Sequence, residues 1–468
     1  MADLETGLVP AWLEAPKDGN SVARKIWPKN FSRSDSGDIS FAGISVGQLA
    51  AEFGTPLMVI DKDDFLTRAK NVQAAFDSAA NQIATTAKVY YAGKSLLTTE
   101  VVKWVASSGL NLDVCSGGEL ALALAGGIEP SRIGLHGNNK SLYEIGKAVT
   151  AGVGAIVIDS EIEIERIASI AGAQDKIQGV RIRVNSGVHA YTHEYLATAR
   201  EDQKFGIAIS DVPVLVAKIR SHSHLQFLGL HSHIGSQIFS VEGFLESVRR
   251  LLPLHKLLLE SGSVPELNLG GGFGINYTES DNAPDISVFA NQIASEVASQ
   301  CQELGIVIPV LCFEPGRVIS GPSGVTIYNV GTIKDVQVST IDSVATRKYV
   351  SIDGGMSDNP RPSLYSADYS AVLASRSTSS KPVISRVVGK HCESGDIVVR
   401  DCYLPEDIGP NDLLAVAATG AYCHSLASNY NYLPRPAMVA VQDGKAQLLM
   451  RAETEADMFS RDPGYQTQ

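Results

Sequence analysis

Residues 88–105, KVYYAGKSLLTTEVVKWV, join a short apolar run to an amphipathic segment. The run Val89–Ala92 is typical of a buried strand, and the apolar positions after it recur at helical spacing. Lys94 lies where the strand gives way to the helix. It is either a surface lysine whose stem covers apolar atoms, or a Schiff-base lysine whose amine is neutral and nucleophilic in a sheltered site.

The same strand-then-helix pattern recurs along the middle of the chain. Runs rich in Val, Ile and Leu predict eight buried parallel strands: KVYYA, LNLDVCS, RIGLHG, AIVIDS, GVRIRVN, FLGLHSHIG, ELNLGGG and VLCFEPGR. Segments with helical spacing separate them, and glycine ends several of those segments. Eight such repeats over roughly 250 residues predict a (β/α)8 barrel, with an open doubly wound sheet as the alternative.

Beyond about residue 320 the pattern changes to closely spaced strands joined by turn residues, which predicts an all-β domain. The first sixty residues do not fit the barrel repeat, so we expect them to add to the β domain and to make it discontinuous. The predicted division is therefore 1–60, a barrel over 61–320 and a β domain over 321–468.

Composition limits the partners of the protein. The 468 residues are 44% hydrophobic and carry a formal net charge of −12, so nucleic acid and anionic membranes are poor partners. No signal peptide and no membrane-spanning run is visible. The six cysteines are scattered without a C-x-x-C pair, which indicates free thiols in a soluble cytoplasmic protein rather than disulfides or a zinc site.

Polar and glycine-rich pieces follow the predicted strands. In a (β/α)8 barrel the carboxyl ends of all strands form one face, and that face carries the active site. We therefore expect these pieces to meet around one opening: Lys94, residues 113–119, residues 136–140, Asn185, residues 231–237, residues 270–274 and residues 314–317.

Three of these pieces have both a structural and a functional interpretation. The glycines of LGGGFG form either a turn or a backbone cradle for a phosphate. The two histidines of HSHIGSQ are core residues, a ring stacked on a planar cofactor, or metal ligands, although no third ligand has convincing spacing and no metal is predicted. In EPGR, Glu314 and Arg317 form either an ion pair or a site in which Glu314 contacts a ring nitrogen and Gly316 or Arg317 binds an anion.

Taken together, a lysine, a phosphate cradle, a stacking ring and a carboxylate are the parts of a pyridoxal 5′-phosphate (PLP) site. Lys94 would hold the cofactor, the glycines its phosphate, and the carboxylate would keep the pyridine nitrogen protonated.

The chain resembles the diaminopimelate decarboxylases, PLP enzymes of fold type III, over nearly its whole length. Its motifs are most similar to those of the actinobacterial members. The shared motifs are YYAGKS, LDVCSGGEL, HGNNKS, THEYLATAREDQKFGI, GLHSHIGSQI, LGGGFG, EPGR, DGGMSDNPRPSLY, CESGD and ATGAY. Departures are few: Ser95 and Ser363 stand where alanine is common, and NSGVHAYTHEY lacks a usual proline and aspartate.

The resemblance implies a cytoplasmic homodimer with active sites shared across the interface, and it implies the roles of individual residues. Lys94, His233, Glu314 and Cys392 match catalytic positions: the PLP lysine, the stacking ring, the partner of the pyridine nitrogen and the proton donor. The cofactor-binding positions are matched by Asp113, Ser236, Gly271, Gly272, Gly316, Arg317 and Tyr422. Substrate-binding positions are matched by Arg317, Arg361, Tyr365, Glu393 and Tyr422, with Cys392 and Glu393 reaching into the neighbouring subunit.

The implied reaction is the decarboxylation of meso-2,6-diaminopimelate to L-lysine and CO2, the last step of lysine biosynthesis. Arg361 supports a substrate with a second carboxylate, because a bidentate guanidinium suits a carboxylate and not an ammonium group. Three alternatives remain: a decarboxylase of another amino acid on the same fold, a racemase that shares the barrel and cofactor, and a non-catalytic PLP-binding protein.

Overall fold

The computed structural model describes residues 8–188, 204–339 and 344–465. Within these ranges the chain forms two compact units. The barrel unit comprises Leu66–Gly274 and Ala283–Ile319, and the β unit comprises the described residues up to Phe65, Ile275–Asn282 and those from Ser320 onward. The boundaries expected from the sequence, after residues 60 and 320, stay a prediction.

The barrel unit contains a closed parallel barrel of eight strands in chain order, in which the last strand pairs with the first through Leu311 and Ala87. This confirms the predicted barrel and excludes the open sheet, because no strand edge is left between the first strand and the eighth. The barrel strands are Ala87–Ala92, Asn111–Val114, Ile133–Leu135, Ala155–Ile158, Gln178–Asn185, Leu225–His231, Glu266–Asn268 and Val310–Phe313. A short strand, Ile207–Ala208, adds to the fifth.

Helices alternate with these strands, as their apolar spacing predicts. They are Lys62–Gln82, which crosses the boundary of the units, Thr99–Ser107, Gly117–Gly126, Leu142–Ala151, Glu161–Ala173, Val212–Ser221, Glu242–Leu259, Ile286–Leu304 and the short Arg317–Ser320. Local sequence sets their ends. The helix Leu142–Ala151 begins at a capping box between Ser141 and Glu144 and ends at Gly152, which is left-handed.

The β unit is built around one large sheet. Its main path runs through the strands that begin at Ile397, Pro382, Val344, Gly324, Leu57, Ala437 and Lys445. The strands of the large sheet are Leu57–Asp61, Gly324–Ser339, Val344–Ile352, Ala371–Leu373, Pro382–Val388, Ile397–Pro405, Leu413–Ala417, Ala437–Gln442 and Lys445–Met450; a small sheet contains Phe31–Arg33, Ile39–Phe41 and Ile44–Ser45. The helices of the unit are Val46–Phe53, Arg361–Tyr365 and Glu455–Phe459.

The N-terminal strand Leu57–Asp61 makes the β unit discontinuous, as expected. It pairs antiparallel with Gly324–Ile327 and parallel with Ala437–Val441, so residues distant in sequence form the centre of one sheet. Leu57 and Val59 are buried in the same apolar cluster as residues from both neighbouring strands. Burial of this alternate-residue face holds the segment in register.

Candidate active site

Lys94 lies on a single 3-10 turn, Gly93–Ser95, directly after the first barrel strand. The turn is held by hydroxyl groups: Ser95 Oγ lies 2.8 Å from Ala92 O and 3.0 Å from Tyr91 Oη, and Tyr91 donates to Leu96 O. A sheltered site is expected for a Schiff-base lysine. Within the described part of the chain Lys94 is instead exposed, because it lies at the open end of the barrel.

Two carboxyl groups and a histidine form a buried cluster at the same barrel face. Asp113 lies on the second strand, His136 follows the third, and Glu314 follows the eighth. His136 Nε2 lies 3.2 Å from Asp113 Oδ1 and 3.4 Å from Glu314 Oε1. Gly134 leaves room for Asp113, since a Cβ there would lie 2.6 Å from Asp113 Oδ1.

Glu314 has two further partners that hold its carboxylate. Asn268 Nδ2 donates to Oε1 at 2.7 Å, and His231 Nε2 lies 3.1 Å from Oε2. His231 also packs edge-on against His136, with ring centroids 5.1 Å apart. The carboxylate is therefore oriented from three barrel strands.

The two carboxyl groups have opposite pKa shifts. Burial, followed by the charge of Glu314, raises the pKa of Asp113 well above its ordinary value. Burial also acts to raise the pKa of Glu314, but the neighbouring His231 and His136 outweigh it and hold that pKa well below the ordinary value. The protonated form of Asp113 is thus favoured, and the ionised form of Glu314. Burial lowers the pKa of His136 to about 4.

The histidines of HSHIGSQ have different surroundings. His231 joins the Glu314 cluster, whereas His233 Nδ1 accepts the backbone N–H of Gly271 at 3.3 Å. Burial and then the charge of Lys94 lower the pKa of His233 well below its ordinary value, so its ring is neutral. Among the described residues, His136, His231 and Glu314 offer three ligand atoms within 4.8 Å of one another. Sequence spacing did not reveal this group, and it does not include His233. The absence of a metal stays a prediction.

The glycine loop after the seventh strand touches the segment that carries Glu314. A Cβ on Gly271 would lie 1.9 Å from Glu314 O, and one on Gly272, whose φ is +105°, would lie 2.2 Å from Gly235 O. Only glycine allows this backbone approach. Arg317 donates to Ser236 Oγ at 2.8 Å, so two further candidate residues also meet. A Cβ on Gly316 would lie 3.0 Å from Ser95 Oγ.

In the β unit, Arg361 lies in an aromatic enclosure. Its guanidinium carbon is 4.6 Å from the centroid of the Tyr277 ring and 5.5 Å from that of Tyr369, and Nη1 donates to Tyr369 Oη. Arg361 is buried but Tyr365, at the other end of the same short helix, is 66% exposed. The two side chains therefore differ in environment, although four residues separate them.

The remaining candidates of the β unit lie on loops. Cys392 and Glu393 are exposed, and the backbone N–H of Cys392 donates to Asn431 Oδ1 at 3.0 Å. Tyr422 is half-buried with a φ of +64°, a conformation that non-glycine residues adopt rarely. Most of the motif THEYLATAREDQKFGI lies outside the described residues.

Sequence reasoning placed His136 and His231 among the strand-end pieces but assigned neither a contact with Glu314. It missed Asn268 in the barrel, and Tyr277 and Tyr369 in the β unit. The histidines carried a usable signal, since each ends or follows an apolar strand. Asn268 was hidden within an apolar run, and the two tyrosines are remote from Arg361 or fall outside any motif.

Comparisons with known proteins agree with this arrangement. Residues 69–321 match the family model described as pyridoxal-dependent decarboxylase, pyridoxal binding domain. The chain is 49% identical to the diaminopimelate decarboxylase of Mycobacterium tuberculosis, over 94% of this chain and 98% of that one. It is 43% identical to that of Corynebacterium efficiens, over 98% and 99% of the two chains.

Solved structures agree as well. The diaminopimelate decarboxylase of M. jannaschii in complex with L-lysine superimposes with a TM-score of 0.84 at 28% identity, over 93% of this chain and 98% of that one. The Helicobacter pylori diaminopimelate decarboxylase, also with L-lysine, gives a TM-score of 0.78 at 28% identity, over 88% and 98%. The chain therefore belongs to the diaminopimelate decarboxylase family of the pyridoxal-dependent decarboxylases.

Proposed function

We propose that this protein decarboxylates meso-2,6-diaminopimelate to L-lysine and CO2 with PLP as cofactor, the last step of lysine biosynthesis. The observation that carries the proposal is an ionised carboxylate, Glu314, held in a buried cluster at the barrel face that also bears Lys94. The names of the relatives and the lysine bound in two neighbouring structures point to the substrate and product.

The barrel residues fit PLP. The primary amine of Lys94 would supply the covalent attachment, and the glycine loop exposes backbone where any Cβ at Gly271 would collide. Ser236, Gly271, Gly272, Gly316 and Arg317 would hold the phosphate. Tyr422 lies in the β unit, and its role in cofactor binding stays a prediction. When bound, PLP takes up the electron pair that is left when the Cα–carboxylate bond breaks.

Each residue of the buried cluster has a defined task in this proposal. Glu314, ionised and fixed by Asn268 and His231, would keep the pyridine nitrogen protonated. The neutral ring of His233 would stack on the cofactor without adding charge. Asp113 lies beside Glu314, and burial raises its pKa, which favours its protonated form.

Arg361 selects the substrate. Among the described residues its guanidinium donates one hydrogen bond, from Nη1 to Tyr369 Oη, so its other N–H donors are available for a carboxylate. Tyr277 and Tyr369 hold the guanidinium in place. Together with Tyr365, Arg361 would bind the distal carboxylate of meso-diaminopimelate and leave the reacting carboxylate free. The role of Arg317 in substrate binding stays a prediction.

Cys392 and Glu393 would act in the neighbouring subunit of a homodimer, Cys392 as the proton donor to Cα and Glu393 at the distal amine. Both side chains are exposed within the protomer. The same region of the β unit exposes Leu364, Tyr365 and Tyr432, which are each at least 60% exposed. An exposed patch with several large aromatic and aliphatic side chains is typical of an interface.

Among the described residues no helix combines the length and apolar character needed to cross a bilayer. We infer a cytoplasmic location from the proposed biosynthetic role.

The test is CO2 release by PLP-loaded protein offered meso-diaminopimelate, ornithine, arginine and lysine side by side. Release from meso-diaminopimelate alone, with L-lysine as product, is expected. Release only from a diamino acid with one carboxylate would contradict the role of Arg361 and support another decarboxylase. Absence of release from all four substrates, together with failure to form a reducible lysine adduct, would point to a non-catalytic protein.

The role of Arg361 is tested by Arg361→Lys, which keeps the charge but loses the planar pair of donors. The KM for meso-diaminopimelate should rise about tenfold or more, because the variant loses roughly one good charge-assisted hydrogen bond to the substrate. Arg386→Lys is the matched control, because Arg386 also packs over a tyrosine ring, Tyr349, at 5.8 Å but has no assigned substrate contact. Equal effects of the two variants would show that Arg361 is only structural.

A further inference from the structure

The loop that carries Cys392 and Glu393 is organised by one buried carboxylate, Asp396. Asp396 Oδ2 accepts the backbone N–H of His391 at 2.8 Å and lies 2.9 Å from His391 Nδ1. The backbone of Asp396 closes the loop as well, through hydrogen bonds between Gly389 N and Asp396 O and between Asp396 N and Glu393 O. Asp396 is 3% exposed.

The other oxygen of Asp396 reaches a different segment. Oδ1 accepts the backbone N–H of Met356 at 2.7 Å, between the strand Val344–Ile352 and the helix Arg361–Tyr365. Glycines make this approach possible: a Cβ on Gly389 would lie 2.2 Å from Asp396 Oδ2, and one on Gly355 would lie 2.5 Å from Oδ1. One side chain thus joins the loop of the proposed proton donor to the segment that leads into the substrate-binding helix.

A second contact joins the same two elements. Ser363, in the middle of the helix Arg361–Tyr365, donates through Oγ to Gly395 O at 2.8 Å. Ser363 therefore contacts the residue that directly precedes Asp396 in the loop. The loop cannot shift relative to the helix without breaking at least one of these hydrogen bonds.

The pair of His391 and Asp396 is not itself a second catalytic site. The His391 side chain is fully buried, and its Nε2 has no hydrogen-bond partner among the described residues. Tyr430 covers the ring in a parallel stack with centroids 5.6 Å apart. Since no substrate atom can reach this imidazole, the pair can act only through the loop.

We propose that Asp396 is a positioning residue that holds the Cys392–Glu393 loop in register with the helix Arg361–Tyr365. This inference rests on the proposed function for the roles of Cys392 and Arg361. If the loop serves the neighbouring subunit while the helix serves its own, the same hydrogen bonds link the two active sites of the dimer: a displacement of Arg361 at one site moves Cys392 at the other.

Asp396→Asn tests the proposal because the asparagine side chain has the same shape as that of aspartate. It replaces one of the two oxygen acceptors with an NH2 donor. An amide has one acceptor oxygen, and its NH2 group would face an N–H at either orientation. We expect kcat/KM for meso-diaminopimelate to fall about tenfold to a hundredfold, since misplacing a reacting group by about 1 Å has an effect of that order. Amide hydrogen exchange over residues 389–396 and at Met356 should become faster.

Asp401→Asn is the matched control. Asp401 is also buried in the β unit, on the strand Ile397–Pro405, and it pairs with Arg347 at 3.2 Å and Arg386 at 3.4 Å, away from the loop. Loss of the Asp401 carboxylate should lower the free energy of unfolding. It should leave kcat/KM and amide hydrogen exchange at residues 389–396 unchanged. Ser363→Ala changes an exposed position. It should also lower kcat/KM and speed amide exchange in the loop, but only about two- to fivefold, because it removes one exposed hydrogen bond.

The outcomes separate the proposal from the function on which it rests. If wild-type protein releases no CO2 from meso-diaminopimelate, the proposed function fails, and the exchange measurement still tests the link between loop and helix. If the wild type is active and both Asp396→Asn and Ser363→Ala retain wild-type kinetics and loop exchange, the positioning role is wrong. An activity loss in Asp396→Asn no larger than in Asp401→Asn would also overturn it.

Discussion

At the residue scale, environment gives identical groups different chemistry. Asp113 and Glu314 are both buried carboxyl groups near His136, yet the pKa of Asp113 is raised and that of Glu314 is lowered. The difference follows from the neighbouring groups: His231 and His136 outweigh burial and lower the pKa of Glu314, whereas burial and then the charge of Glu314 raise the pKa of Asp113. Opposed pKa shifts of this kind mark acid and base assignments.

Buried histidines make stability depend on pH, and His255 is the simplest case. It is 1% exposed on the helix Glu242–Leu259, and burial alone lowers its pKa from 6.5 to about 4. A lowered histidine pKa means that the unfolded chain binds a proton that the folded chain refuses, so stability is lost as pH falls from about 6.5 to about 4.

The variant His255→Leu removes the contribution of this histidine to the pH dependence of the unfolding free energy. Between pH 7 and pH 5 the wild type should lose about 2 kcal/mol more of unfolding free energy than the variant. The measurement is urea unfolding of both proteins at the two pH values. Parallel losses in the two proteins would show that His255 does not contribute to the pH dependence.

At the element scale, the glycine loop and the Glu314 segment are one packed unit. Glu314 N donates to Gly270 O at 2.8 Å, and the Cα of Gly271 faces Glu314 O. Gly271→Ala must therefore displace backbone, which costs about 1–3 kcal/mol for overpacking and moves Glu314. We expect a lower ratio of bound PLP to protomer, measured by absorbance after gel filtration.

Gly146→Ala is the control for that change. Gly146 lies within the helix Leu142–Ala151 with no atom within 4 Å of the added Cβ. Alanine there should leave PLP content unchanged and stabilise the protein by up to about 1 kcal/mol. Equal PLP content in the two variants would contradict the cradle assigned to Gly271.

At the scale of the whole molecule, the proposal requires two protomers for each active site. Lys94→Ala and Cys392→Ala should each be inactive as homodimers, but a mixture that exchanges subunits should recover about a quarter of wild-type activity. Half of the dimers are then mixed, and each mixed dimer contains one intact site. The measurement is CO2 release after mixing, with subunit exchange verified by native mass spectrometry.

The control mixture combines Lys94→Ala with Glu314→Gln. Both residues belong to the barrel unit of one protomer, so every site in a mixed dimer lacks one of them. No activity should return. Recovery in both mixtures, or in neither when exchange is verified, would contradict a site shared across the interface.

Much of the fold could be predicted because its determinants are local. Parallel strands buried on both faces leave continuous Val, Ile and Leu runs, and the helices between them keep their own spacing and caps, as at Ser141 and Gly152. The position of Lys94 after the first strand followed from the same pattern. The assignment of Leu57–Asp61 to the β unit followed from its misfit with the barrel repeat.

The contacts of the site depended on tertiary structure. Asn268 lies in a predominantly apolar strand. It hydrogen-bonds to Glu314 only because the seventh and eighth strands pair. Tyr277 precedes the β domain in sequence but is placed in the β unit, where it packs on Arg361. Spacing along the chain contains no information on such distances.

By itself, then, the sequence determined the alternation of strands and helices, the barrel, the discontinuous β domain and the chemical types at the strand ends, because each depends on near neighbours in the chain. Only the tertiary structure decided which histidine contacts Glu314, which tyrosines enclose Arg361, and that Asp396 connects the Cys392 loop to Met356. The physical reason is that hydrogen bonds and desolvation act over a few ångströms in space, between residues that lie tens to hundreds of positions apart in the chain.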